Sequence, residues 1–320
     1  MHFEALTIDD LLNDVYKRLL NERFDVCPSR GKTSELVGVM LTLGNPLSRL
    51  SRTETKGKLF SAVGELLWYL AKTNDLSFIS YYIPKYVDES EDKKTIYGAY
   101  GPRLFNSQGK YDQIASVISL LKENPNSRRA VIQILEPVDL AEKHQEIPCT
   151  CTLQFLLRHN KLNMVVHLRS NDAFMGLPHD IFCFTMLQEL VAKTLNVELG
   201  SYSHSVGSLH LYEKDQALAN QYLAEGFQST KHPMPPMPGG SPWESIHTIL
   251  EIEERIRQNQ DPNINGQNLD EYWKDIIRLV YIFSLFKNHD TDKIKEVQKE
   301  FYYPVYNTFI NTKLSSTQIK

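Results

Sequence analysis

Apolar residues recur at helical spacing over residues 6 to 21, where Leu12, Val15, Tyr16 and Leu19 mark one face. The next apolar stretch, 35 to 43 (ELVGVMLTL), is short and continuous, which predicts a buried strand. Leu59 to Leu70 predicts a mostly buried helix with Glu65 set inside it. An amphipathic helix is expected at 112 to 123, then strands at 130 to 135, 151 to 158 and 161 to 169. His159 and Asn160 separate the last two strands and predict a tight hairpin. Pro178 sits where a first helical turn needs no N–H, so a long helix is expected from there to about Leu195. A strand near 202 to 211 precedes a helix from about 212 to 226. Residues 232 to 242 (HPMPPMPGGSP) break the pattern and read as a loop or linker. Helices follow near 243 to 258 and 268 to 287, then a weaker one. No internal repeat is present. The pattern indicates an α/β (α+β) core with a helical tail.

The chain has 320 residues, 42% hydrophobic and 23% charged, as in ordinary soluble globular proteins. A net charge of −4 lacks the basic excess of a general nucleic-acid binder, so no nucleic acid is expected as partner. Met1-His2-Phe3-Glu4 has no signal-peptide layout, and no run approaches the roughly 18 apolar residues that span a bilayer. Cys27, Cys149, Cys151 and Cys183 form no disulfide framework. A cytoplasmic protein with reduced thiols and no membrane partner is expected.

The chemistry starts with Cys149, which follows Pro148 at the entry to a strand and could be aimed into a cleft as a nucleophile. Cys151, two residues on, would share its strand face. Buried inert cysteines are common, so the position alone does not decide. Arg128 and Arg129 lie between a helix and a strand, and Arg169-Ser170 ends the strand after that of Cys149. Arginine beside a hydroxyl suits a phosphate, although adjacent arginines are more often a solvated pair. Glu65, if buried, has a raised pKa and can relay protons. The segment from Arg169 to Asp180 (RSNDAFMGLPHD) packs charge, amides and Gly176 into the turn before a helix, as an anionic ligand would need. His210 and Tyr212 share a strand face, as a satisfied core pair also could.

These pieces, in this order, resemble thymidylate synthase over about residues 30 to 226. GELLWYL around Glu65, YGAYGPR from Tyr97, NSRR ending at Arg129, PC at Cys149, RSNDAFMGLP and HLY at 210 to 212 carry the likeness. The resemblance implies a mixed β-sheet core flanked by helices, with a catalytic domain at 1–230, a linker at 231–242 and a helical extension at 243–320. It implies that Cys149 adds to C6 of a pyrimidine nucleoside monophosphate, and that 5,10-methylenetetrahydrofolate supplies a one-carbon unit to C5 with no metal. Glu65 would organise proton-transfer waters. Arg30, Arg169 and Ser170 would hold the phosphate, joined in a homodimer by Arg128 and Arg129 of the other subunit. Asn171 and Asp172 would lie along the nucleotide, with His210 and Tyr212 on its sugar. Tyr97, Asp172, Met175 and Gly176 would lie near the folate.

The departures narrow the reading. Synthases carry asparagine where this chain has Asp180, histidine where it has Thr150, and aspartate where it has Ser208. RSND with Asp180 and VGSLHLY are similar instead to the cytosine-specific relative, deoxycytidylate hydroxymethylase. Uracil presents a donor at N3 and an acceptor at O4, which an asparagine amide complements. Cytosine reverses both, and either a protonated aspartic acid complements it or a carboxylate pairs with N3-protonated cytosine; one shared proton is needed in both cases. A mismatched buried group costs about 1–3 kcal/mol. Asp180 would then join Cys149 and Glu65 as a catalytic residue in hydroxymethylating CMP or dCMP. A helix-capping role for Asp180, a true thymidylate synthase or C5-methylase, and a silent nucleotide- or RNA-binding protein are the alternatives.

Overall fold

A computed structural model describes residues 1–28, 30–51, 58–226 and 232–318. Ser29 of the PSRGKTSEL segment and residue 231, where the expected linker starts, lie outside the described residues.

Six strands form one mixed sheet in the order β1-β2-β6-β5-β4-β3. They are β1 (His2–Ala5), β2 (Thr33–Leu43), β3 (Val131–Gln133), β4 (Thr150–Arg158), β5 (Lys161–Asp172) and β6 (Glu198–Tyr212). β1–β2 and β5–β6 are parallel pairs, and the other pairs are antiparallel. β4 and β5 are joined through His159 and Asn160, whose φ values of 49° and 59° are those a right-twisted two-residue hairpin demands. In β5, Leu162, Met164, Val166 and Leu168 alternate into the core and are fully buried.

The expected strands are present, but β5 and β6 run further than hydrophobicity indicates. Ser170, Asn171 and Asp172 pair with Ser208, Leu209 and His210, so a polar run that reads as a turn is strand. The alternation of buried and exposed positions also reverses along one line across the sheet. It changes phase at Gly38 in β2, Gly207 in β6, Arg169 in β5 and Cys151 in β4. At Cys151 the register slips by one residue, a bulge that re-aims the side chains before it. Gly207 is required there, because a Cβ would meet the Arg169 carbonyl oxygen at 2.8 Å. The bulge removes the premise that Cys149 and Cys151 share a face: Cys149 lines the cavity described below, while Cys151 is not among its walls.

The helices are α1 (Ile8–Leu20), α2 (Leu59–Leu70), α3 (Leu76–Tyr82), α4 (Tyr100–Phe105), α5 (Gln113–Glu123), α6 (Val138–Ala141), α7 (Leu177–Leu195) and α8 (Gln216–Ala224). The tail adds α9 (Trp243–Arg257), α10 (Glu271–Lys287), α11 (Thr291–Gln298) and α12 (Asn307–Gln318). Strand β1 and the short α3, α4 and α6 were not expected, being below the length at which periodicity speaks. α2 is buried on every position except Ser61 and packs between α7 and α10.

The tail shares the core of the domain. Phe286 of α10 packs edge-on against Phe60 of α2 at 5.9 Å, and Tyr82 donates to Glu253 of α9 at 2.7 Å. Met237, in the proline-rich segment, is buried and its N–H donates to Glu189 of α7 at 2.7 Å. Glu189 also accepts from Arg49 at 2.5 Å, with both side chains fully buried. Among the described residues no helix is long and apolar enough to cross a membrane.

Candidate active site

The phase reversal in the sheet opens a cavity of about 960 Å³ between the ends of β2, β4, β5 and β6 and the helices α2 and α7. Cys149, Glu65, Asp180, Arg30, Arg169 and Ser170 line it. So do Asn171, Asp172, Met175, Gly176, His210 and Tyr212.

Cys149 precedes β4, and the chain leading to it is pinned. The Arg169 guanidinium donates Nε to the Pro148 carbonyl at 3.0 Å and Nη2 to that of Ile147 at 3.1 Å, and its backbone N–H donates to the Cys149 carbonyl at 2.8 Å. Gly98 lies against this segment, with space for a Cβ only 3.3 Å from Pro148 N. Burial pushes the Cys149 thiol up to about 11, against the pull of Arg169 and with a further push from Glu146 and Asp180. At neutral pH the resting side chain is therefore a thiol, and any role as a nucleophile would require loss of its proton.

Glu65 is buried, and its Oε1 accepts from Tyr69 at 3.0 Å and Tyr86 at 2.9 Å. Burial raises its pKa, the two tyrosine hydroxyls lower it, and the charge of Glu89 raises it. Asp180 does not cap α7. The N-cap is Gly176, with no side-chain cap bond, and Asp180 lies in the first turn. Its Oδ2 accepts from Asn171 Nδ2 at 2.7 Å. Its exposure is to the cavity. Burial, with the charges of Glu65 and Asp172, pushes its carboxyl up to about 8. Asp172 instead shapes the turn into α7, accepting from the N–H groups of Phe174 and Met175 at 2.9 Å each. Gly176 is closely packed at that turn, where a Cβ would come within 3.1 Å of Asn171 Nδ2.

Arg30 is engaged by two carboxylates, at 2.7 Å from Glu146 and 3.3 Å from Glu89. Ser208 donates to Glu35 of β2. His210 and Tyr212 sit edge to face at 5.1 Å on the cavity side of β6.

Three expected residues are elsewhere. Arg128 and Arg129 are exposed and do not line the cavity of their own chain. The Tyr97 ring is not part of the wall either; it stacks on His144 at 3.5 Å, and His144 is what faces the cavity. Tyr100 of the same YGAYGPR motif lines the cavity and accepts from Thr150 Oγ1 at 3.0 Å. Sequence reasoning missed it, and also Trp68, Tyr69, Tyr86, Lys58 and His179 in the wall. The signal for Tyr69 and Tyr86 was Glu65 itself, since a buried carboxylate needs donors. Residues 41–238, more than half of the chain, match the family model for thymidylate synthase, and the chain belongs to that family, whose members transfer a one-carbon unit from a folate to C5 of a pyrimidine nucleotide.

Proposed function

We propose that this protein hydroxymethylates C5 of CMP or dCMP, with Cys149 forming the transient bond to C6. The observation that carries the reading is Asp180, an acid pushed up to about 8 that faces the same cavity as Cys149. A neutral carboxylic acid offers one donor and one acceptor side by side, which complements N3 and N4 of cytosine. At uracil the same acid, with its proton kept on the same oxygen, would oppose a donor to N3–H. One such buried mismatch is worth about 1–3 kcal/mol.

The remaining walls support the rest of the assignment. Arg169, Ser170 and Arg30 supply donors for a phosphate. His210 and Tyr212 stand where a sugar would continue from it. Trp68, Ile83, Pro84 and Met175 give the cavity an apolar side that suits the pterin ring of a folate, and Lys58 and Lys85 provide cations for its carboxylates. The bound folate would supply the one-carbon unit at C5. Attack of the Cys149 sulfur on C6 makes C5 nucleophilic towards the one-carbon unit; loss of the C5 proton, for which Glu65 with its two tyrosine donors is suited, would let tetrahydrofolate leave, water add its hydroxyl to the transferred carbon and the Cys149 sulfur leave C6. The exposure of Arg128 and Arg129 outside their own cavity supports a homodimer in which they serve the neighbouring site.

The test is incubation with CMP, dCMP, UMP and dUMP plus methylenetetrahydrofolate, read by mass spectrometry. The expected product is a cytosine nucleotide heavier by CH2O, with tetrahydrofolate released. Conversion of dUMP to dTMP with release of dihydrofolate would return the protein to synthase chemistry.

A further inference from the structure

We infer that Tyr202, His204 and Asn171 form a one-way hydrogen-bond chain that fixes which oxygen of Asp180 carries its proton, making all three positioning residues for base selection. The inference rests on the cytidylate reading of the site for its base-selection half. The direction of the chain does not depend on that reading.

The links are short and buried. Tyr202 Oη lies 2.7 Å from His204 Nδ1, His204 Nε2 lies 3.1 Å from Asn171 Oδ1, and Asn171 Nδ2 lies 2.7 Å from Asp180 Oδ2. Tyr202 is 1% exposed, His204 0% and Asn171 4%. Burial holds the His204 imidazole down to about 3, so the ring is neutral and has one donor and one acceptor nitrogen.

The direction is set from the buried end. The Tyr202 hydroxyl has one hydrogen-bond partner among the described residues, His204 Nδ1. A buried O–H left undonated is costly, so Tyr202 donates and Nδ1 accepts. The ring proton is then on Nε2 and donates to Asn171, which must present Oδ1. The Asn171 amide therefore turns its Nδ2 to Asp180, and Oδ2 of Asp180 is committed as an acceptor. Asp180 is otherwise faced by Glu65 from α2 and Asp172 from β5, with Tyr100 and Cys149 nearby, a set that favours its neutral form. An oxygen that already accepts from Asn171 is favoured as the carbonyl oxygen of that neutral acid, which puts the proton on Oδ1. Oδ1–H then meets cytosine N3, and the second lone pair of Oδ2 accepts from N4–H. Were the chain reversed, Asp180 would spend its proton on Asn171 and lose its donor to the base.

The experiment has two arms. In protein labelled with 15N-histidine, the His204 resonances, identified by their absence in His204→Gln, should show a pyridine-like Nδ1 and a pyrrole-like Nε2 from pH 5 to 8. A protonated Nδ1, or an imidazolium near neutral pH, would overturn the direction of the chain, whatever the substrate proves to be. Tyr202→Phe removes the end that sets the direction. It should give mixed His204 tautomers and lower the cytosine-to-uracil ratio of kcat/KM about fivefold or more. An unchanged ratio with changed tautomers would overturn the base-selection half. A wild type that prefers uracil nucleotides would instead overturn the cytidylate reading. If Tyr202→Phe fails to fold, the wild-type spectrum still decides the direction.

Discussion

Arg30 donates Nη2 to Glu146 at 2.7 Å, so the candidate phosphate arginine is already paired with a carboxylate at the cavity wall. A nucleotide phosphate must compete with Glu146 and with Glu89 for it. Both partners of the Arg30–Glu146 pair are partly solvated, so the contact is worth no more than about 1 kcal/mol. Glu146→Gln should therefore tighten nucleotide binding about two- to fivefold, read by calorimetric titration at low salt. Arg30→Ala should weaken it. If neither variant changes Kd, Arg30 has no part in the nucleotide site.

Cys149 rests as a thiol pushed up to about 11 by burial. Alkylation of the free enzyme by iodoacetamide should accordingly still be accelerating at pH 10, followed by mass spectrometry of the Cys149 peptide. A rate that levels off near pH 8 would mean that a closer cation holds the thiolate. Cys149→Ser should retain nucleotide binding but lose product formation and release of tritium from C5, both by several orders of magnitude. Turnover near that of wild type would eliminate the covalent mechanism.

Much of this architecture was legible in the sequence, and the misses have physical causes. α2 was found to the residue because eleven of its twelve positions are buried, a signal no surface feature dilutes. The end of β5 was cut short because Ser170, Asn171 and Asp172 are polar. They are strand residues that line a cavity, and hydrophobic alternation is silent there. The expectation that Cys149 and Cys151 share a face failed because a bulge, set by pairing with β5, cannot be read from β4 alone. Tyr97 was preferred to Tyr100 within one motif, and only the packing of α4 on Thr150 distinguishes them. His204 and Tyr202 carried no motif, and the link from His204 to Asn171 spans 33 residues of chain.

The proline-rich segment and the tail are tied to the catalytic core by Glu189, which accepts from Arg49 and from the Met237 N–H with no exposure to water. Breaking one side of a buried ion pair strands the other charge. Glu189→Ala should cost about 3–5 kcal/mol, read as a lowered urea midpoint. The paired replacement Arg49→Met with Glu189→Leu should cost much less than the sum of the two single changes, because no charge is left behind. A single-variant loss under 1 kcal/mol would show that water reaches the pair.

Arg128 and Arg129 lie exposed and outside the cavity of their own chain. If they complete a neighbour's site, Arg129→Ala and Cys149→Ser proteins, each inactive alone, should regain activity when mixed. A hybrid dimer would contain one site with both contributions intact, so recovery should approach about a quarter of wild type for random exchange of subunits. No recovery after exchange has been verified by mass spectrometry would place the arginines in their own chain's site or outside function.

On the proposed reading Asp180 decides the substrate class, and its titration gives a second, independent test. Its carboxyl is pushed up to about 8, above the ordinary carboxylate range, by burial beside Glu65 and Asp172. Between about pH 4 and pH 8 the folded protein therefore holds a proton that the unfolded chain releases. The contribution of this group to stability is fully present below about pH 4 and is lost as pH rises through about 8. Asp180→Asn has no such proton, so its melting temperature relative to wild type should climb steadily from pH 5 to pH 8. In turnover, the neutral acid is the form that matches cytosine, so wild-type kcat/KM for cytosine nucleotides should fall as pH passes about 8. The asparagine amide can donate to O4 of uracil and accept from N3–H. Asp180→Asn should therefore shift the cytosine-to-uracil ratio of kcat/KM toward uracil by about 1–3 kcal/mol, roughly 5- to 150-fold. The measurement is kcat/KM for CMP, dCMP, UMP and dUMP in both proteins across pH 6 to 9. A ratio that does not move, together with a melting-temperature difference that is flat with pH, would mean that Asp180 is an ordinary ionised carboxylate and reads no base.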